Sequence, residues 1–186
     1  MNVIEAIRNR RSVREYKSDQ LDRATIERLI DAAVHAPSAL NQQPWTFTVV
    51  LDQALLNRIS DIAKSHMLIA KAGTSPAGLL GQDYSDPNFH IFHHAPALIV
   101  IGASADGPWM IESCALAAEN LMLAAYAEGL GTCWIGFAQR YLNTPEGKQM
   151  LGLPPRSVPI APIILGHPKC SAAPVARRAP TIRWID

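Results

Sequence analysis

The sequence predicts a single α+β domain over residues 1–186, with a central, mostly antiparallel or mixed sheet flanked by helices. Three observations lead there. At 186 residues the chain is long enough for one compact domain with a sizeable core. Stretches with helical spacing are interspersed with short β-branched runs. One stretch, Met110 to Ala127, is apolar almost all round, so other elements must enclose it or a second subunit must cover it.

The elements follow in order. A first helix starts at Asn2 as N-cap, with Glu5 placed to reach back and Val3, Ile4, Ala6 and Ile7 apolar. A second runs from Asp22 to His35, because Ile26, Leu29, Ile30, Ala33 and Val34 keep helical spacing, and Pro37 ends it. A strand follows at Thr46 to Leu51. Asp52 caps a third helix bearing Leu55, Leu56, Ile59 and Ile62. The Gly- and Pro-containing stretch Gly73 to Asn88 reads as a mobile loop. A buried strand is expected at Ala97 to Gly102, and further strands at Thr132 to Gly136 and Val158 to Leu165. The tail from Cys170 to Asp186 is too polar and too broken by proline to pack alone.

Composition narrows the function. The net charge is +1, without a basic stripe, which disfavours a nucleic-acid partner. No apolar run is long enough to span a bilayer, and Glu5, Arg8, Arg10 and Arg11 make the N-terminus unlike a secretory signal. Cys114, Cys133 and Cys170 are odd in number and far apart, which points to a reducing cytoplasm and not to a disulfide framework. No Cys-x-x-Cys occurs, so no zinc or iron–sulfur site is expected. His90, His93 and His94 cluster without a matching carboxylate or cysteine and make a poor metal site. Cys133 reads as inert core, Tyr126 and Trp134 as packing residues, and Glu112 as a carboxylate suited to a helix start.

Against this near-neutral background, Arg10-Arg11-Ser12-Val13-Arg14 concentrates three guanidinium groups and a hydroxyl. Guanidinium matches phosphate oxygens bidentately, so a small phosphorylated ligand fits the pattern. A solvated cationic helix end accounts for the same residues. Pro37-Ser38-Ala39-Leu40-Asn41-Gln42-Gln43-Pro44 places a hydroxyl and three carboxamides between two prolines. Carboxamides donate and accept and can read the edge of a heterocycle; a helix-capping turn would use them too. Gly129 to Phe137 contains three glycines, of which Gly136 could let a flat ligand approach the backbone. The spacing matches neither a dinucleotide fingerprint nor a P-loop. Arg177-Arg178 adds a distant basic pair.

Together, and in this order, Arg-Arg-Ser-Val-Arg-Glu-Tyr, Ala-Pro-Ser-Ala-Leu-Asn-Gln-Gln-Pro-Trp-Thr-Phe and Gly-Leu-Gly-Thr-Cys-Trp-Ile-Gly-Phe resemble the nitroreductase family of FMN-dependent oxidoreductases. Gly166-His167-Pro168 and the Arg-Arg-Ala-Pro tail fit as well, so the resemblance covers nearly the whole chain. It implies a homodimer with exchanged C-terminal tails, from about residue 170 to 186, and one FMN per subunit at the interface. It implies that Arg10, Ser12 and Arg14 hold the FMN phosphate and ribityl chain, with Arg11 nearby and Arg178, with Arg177, adding to the phosphate site. Pro37, Ser38, Ala39 and Asn41 would meet the isoalloxazine bound to the partner, and Ile135 and Gly136 would lie beside the flavin ring near N5 and O4 through backbone atoms. Where the family has a Lys or Arg two residues before the last tail Arg, this chain has Ala176, with Arg177 as substitute.

The implied chemistry is ping-pong: NADH or NADPH gives hydride to flavin N5, leaves, and an electron-poor nitroaromatic or quinone takes its place. It requires no catalytic side chain, since the flavin carries the reaction. Lys71 to His94 would shape the acceptor pocket. A flavin-fragmenting or dehalogenating enzyme of the same fold and a flavin carrier with little turnover are the alternatives.

Overall fold

Four antiparallel strands carry the fold in the order β1-β2-β4-β3: β1 (Trp45–Val50), β2 (Ala97–Ala103), β3 (Gly131–Trp134) and β4 (Val158–Gly166). The computed structural model describes residues 2–70, 86, 88–104 and 107–186. The expected loop over residues 73–88 therefore lies, apart from residues 86 and 88, outside the described residues. Six α-helices complete the described architecture: α1 (Val3–Asn9), α2 (Arg23–Val34), α3 (Gln53–Ala70), α4 (Met110–Ala127), α5 (Gly136–Leu142) and α6 (Pro145–Met150).

Local chemistry sets most boundaries. In α1 the Asn2 side chain accepts from Glu5 N at 2.9 Å while Glu5 Oε2 accepts from Asn2 N at 3.0 Å, a complete capping box. Asp22 caps α2 by accepting from Thr25 N at 2.6 Å. Asp52 accepts from Ala54 N at 2.8 Å and from Leu55 N at 3.3 Å at the start of α3. The central strand β4 contains Pro159 and Pro162, which remove ladder donors. A register shift between Ile101 and Gly102 falls next to Pro159. Gly102 is required there, because a Cβ would stand 2.8 Å from the Val158 carbonyl oxygen.

Strand alternation gives the sheet two apolar faces. Ile99, Ile101, Ile163 and Leu165 pack with Leu29 and Ala33 of α2 and Cys114, Ala117, Leu121 and Ala125 of α4. Leu98, Val100, Ile164 and Cys133 pack with Leu56 and Ile59 of α3 and Ala138, Tyr141 and Leu142 of α5. The apolar α4 is thus largely a core helix. Its Ile111 and Leu116 nonetheless remain exposed, as do Val3, Ile4 and Ile7 of α1.

Two differences from the sequence reading bear on function. The third strand ends at Trp134 and not at Gly136, since Gly136 opens α5. And α5 and α6 follow where no element was expected. A Thr144 side chain accepting from Gly147 N at 3.0 Å, with Pro145 in the first turn, starts α6.

Candidate functional site

After α1 the chain straightens at Arg10 (φ −54°, ψ 136°) and runs alongside β3. Val13 N donates to Thr132 O at 2.9 Å, and Ser12 forms a parallel bridge with Thr132. Tyr16 bridges Pro168, and its hydroxyl donates to Val13 O at 2.7 Å. This close approach depends on Gly131, whose Cβ would sit 2.8 Å from the Val13 side chain. The arginine segment is therefore stitched to the edge of the sheet.

The arginines are only partly satisfied by the protein itself. Arg11 Nη1 donates to Arg8 O and Arg10 O, each at 2.7 Å. Arg10 Nε stands 3.5 Å from Glu119 Oε1 on α4, a loose ion pair. The Nε atoms of Arg10 and Arg11 are both buried without a hydrogen-bond partner. A buried cationic donor left unpaired is costly, and an anionic oxygen would relieve that cost. Both arginines line a cavity of about 170 Å³ with Tyr126, Leu130, Thr132 and Ser171. Beneath them the buried Cys133 thiol is pushed up by burial, partly offset by Arg14, a hydrogen bond with Ser12, and Arg10. Arg10, Ser12 and Arg14 are thus all neighbours of Cys133, and the thiol stays neutral. The donor set fits a phosphate-bearing ligand.

The turn from β3 into α5 lies beside this cluster. A cavity of about 380 Å³ is lined by Arg14, Phe89, His93, Ile135, Gly136 and Phe137, among others. Ile135 is buried, and its backbone is already used: its N–H donates to Pro162 O at 2.8 Å and its carbonyl accepts from Ala138 N at 3.1 Å. Gly136 is exposed, and a Cβ there would meet nothing within 4 Å. Of the two residues, only Gly136 has a backbone N–H that bonds to no described residue, as expected at a helix start.

The second expected half, Pro37 to Asn41, lies elsewhere. It forms a turn with a 3₁₀ segment, Ala39–Asn41, before β1. Leu40, Asn41 and Gln43 all have positive φ (52°, 53° and 47°), a conformation that costs free energy in non-glycine residues. Internal bonds hold it. Gln43 N donates to Ser38 Oγ at 3.0 Å, Gln43 Nε2 to Asn41 Oδ1 at 2.9 Å, and Ala39 N to Ser113 Oγ of α4 at 3.4 Å. Leu40 is 81% exposed. Strands β1 and β3 are the two outer strands. Three strand spacings, roughly 14 Å, separate them. Within one chain the loop and the arginine cluster therefore occupy opposite edges of the sheet.

Arg177 and Arg178 are exposed in the extended tail and make no hydrogen bond or ion pair with another described residue. The structure brings Arg14 to Ile135 and Gly136 and places Arg10 and Arg11 on a separate cavity, while residues 37–41 and 177–178 line neither. Glu119, the counter-charge of Arg10, was missed: 109 positions separate them, and no local pattern links the two. Cys133 and Trp134 pack as expected. Glu112 lies in the first turn of α4. Among the described residues no group of three or more His, Cys, Asp or Glu is placed to hold a metal ion, and no helix is long and apolar enough to cross a membrane.

The fold is shared with known proteins. A protein of Archaeoglobus fulgidus with the provisional name NADH dehydrogenase/NAD(P)H nitroreductase is 30% identical over 166 residues, covering 89% of this chain and 85% of its own. An iodotyrosine deiodinase of Haliscomenobacter hydrossis is 28% identical over 172 residues, covering 81% and 76%. The crystal structure of a nitroreductase with bound FMN from Bacteroides fragilis superposes with a TM-score of 0.84 at 26% identity, covering all of both chains. The family model for the nitroreductase family matches residues 7–167, from α1 to the end of β4, and the chain belongs to the nitroreductase family.

Proposed function

We propose that residues 1–186 form a single FMN-binding domain that works as a homodimeric NAD(P)H-dependent oxidoreductase on electron-poor small molecules. The observation that carries this reading is Arg14, which lines one cavity with the open Gly136, next to a second cavity where the Arg10 and Arg11 Nε atoms are buried without a hydrogen bond. Arg10 and Arg14 hold the phosphate, Ser12 the adjoining ribityl oxygens, and Gly136 presents its free N–H and bare backbone to the ring edge. The bound FMN supplies hydride transfer at N5 between NADH or NADPH and a nitroaromatic or quinone. No side-chain acid or base is assigned. The chain's part is to fix the cofactor and to place donors where negative charge gathers.

The dimer reading rests on what one chain leaves uncovered. The outer edge of β1 pairs with no described strand, and Trp184 in the tail is 81% exposed. Exposed apolar side chains on α1, α4 and the tail need a partner surface. A second copy would also bring Pro37, Ser38, Ala39 and Asn41 to the arginine edge, and carry Arg177 and Arg178 across with its tail.

The test is direct. Denaturation of the purified yellow protein releases FMN, and NADH or NADPH bleaches the flavin in stopped flow, with colour returning on adding a quinone or nitroarene. Release of FAD, or a protein still colourless after incubation with FMN, contradicts the reading. The deiodinase relative favours one second reading, reductive dehalogenation. Halide release from an iodophenol, with no turnover of nitroarenes, would select it.

A further inference from the structure

The histidine cluster, dismissed above as a metal site, has one member that the proposed function does not use. His93 lies with Arg14, Ile135 and Gly136 in the 380 Å³ cavity and also borders a neighbouring cavity of about 460 Å³ with Arg14 and His90. It is half-buried. Its ring meets Phe89 edge-on at 5.9 Å between centroids, and neither ring nitrogen hydrogen-bonds any described residue. Its neighbour behaves differently: His90 Nδ1 accepts from Phe92 N at 3.2 Å, and its Nε2 lies 3.1 Å from Asn57 Oδ1. His90 is a structural cap, whereas His93 keeps both nitrogens in hand.

The backbone at His93 is also strained, with φ 50°, and His94 follows with φ 53°. A non-glycine residue in this region is strained, and such strain gathers where a side chain is needed in one place. Burial first, then Arg14 and His94, hold the imidazole down to a pKa of about 4, so it is neutral at working pH. A neutral imidazole offers one donor and one acceptor. It suits a neutral carbonyl or ring N–H and not a phosphate.

We propose that His93 is a cofactor-binding residue that hydrogen-bonds the pyrimidine edge of the flavin, between the phosphate grip of Arg14 and the ring contact at Gly136. This rests on the FMN reading above. A flavin held at Arg14 and Gly136 passes through the cavity that His93 lines. An incoming acceptor meets the open face of the ring instead.

The experiment compares FMN affinity of the apoprotein, by fluorescence quenching, with the visible spectrum of the loaded protein, for wild type, His93→Leu, His93→Gln and His93→Gly. His93→Leu is expected to weaken FMN roughly 3- to 10-fold, the size of one net hydrogen bond. It should also move the flavin absorption bands. His93→Gln, which keeps a donor and an acceptor, should restore both. His93→Gly relieves the positive φ, so the apoprotein Tm should be no lower than wild type while FMN affinity falls as in His93→Leu. That combination separates a binding role from a folding role. Wild-type affinity and an unshifted spectrum in folded His93→Leu and His93→Gly overturn the proposal, even if acceptor KM changes. Failure of the wild-type protein to bind FMN at all is a failure of the broader reading and is seen in the same titration.

Discussion

The two edges of the sheet are finished to different degrees. At the β3 edge the segment from Arg10 to Tyr16 is hydrogen-bonded to the strand and to the residues after β4, and Arg14 shares a cavity with the free backbone of Gly136. At the β1 edge no described strand pairs, the loop before it holds three strained residues, and Leu40 projects into solvent. Strain of this kind is kept where geometry matters, so the loop is shaped for something its own chain does not bring to it. On the proposed reading, the contrast is between a grip for the FMN phosphate at one edge and a separate, preformed surface for the flavin ring at the other. A second copy is the simplest way to join them.

The largest effect tests the unfinished edge. Deleting residues 170–186 should abolish both dimerisation and flavin binding. A stable, flavin-loaded monomer by light scattering would break the comparison, because the β1 edge would then need no partner. The finished edge is probed next. Arg10→Ala and Arg14→Ala should each weaken FMN by about 1.5 to 3 kcal/mol, roughly ten- to a hundredfold, as expected for a charge-assisted bond. Unchanged FMN affinity in the double variant would remove these side chains from the site.

The smallest effect is a pH slope. His90 and His93 are both held near a pKa of about 4 by burial, against about 6.5 in the unfolded chain. A base with a depressed native pKa binds fewer protons folded than unfolded. The stability linked to it is therefore complete above about pH 6.5 and is lost as pH falls toward 4. Both rings are partly solvated, which shrinks the effect. Thermal melts should show Tm falling by several degrees between pH 7 and 4.5, with a shallower fall in His90→Gln/His93→Gln. An equal slope in that variant would assign the acid sensitivity to other groups.

Much of the scaffold was legible because its signals are local. Asn2 with Glu5, Asp22 with Thr25, and the apolar run of α4 each declare an element within a few residues. The short helices α5 and α6 were not, since seven and six residues give too little periodicity to stand out, although Thr144-Pro145 was a readable start. The site was half legible. The residue types of the arginine segment announced an anion, but not that Gly131 lets the segment lie on β3, or that Glu119 balances Arg10. Ile135 shows the limit most clearly. It stands in the right motif, yet Pro162 already takes its N–H, which leaves Gly136 as the available donor.

The central claim, a flavin site shared between two copies, is tested most directly by complementation. One tagged chain carries Arg10→Ala/Arg14→Ala and a differently tagged chain carries Ser38→Ala/Asn41→Asp. Each homodimer should bind FMN poorly. The purified heterodimer has one interface with both halves intact and one with both altered. The account predicts one tightly bound FMN per heterodimer; a heterodimer that binds none tightly would place both halves of each site in a single chain and contradict it.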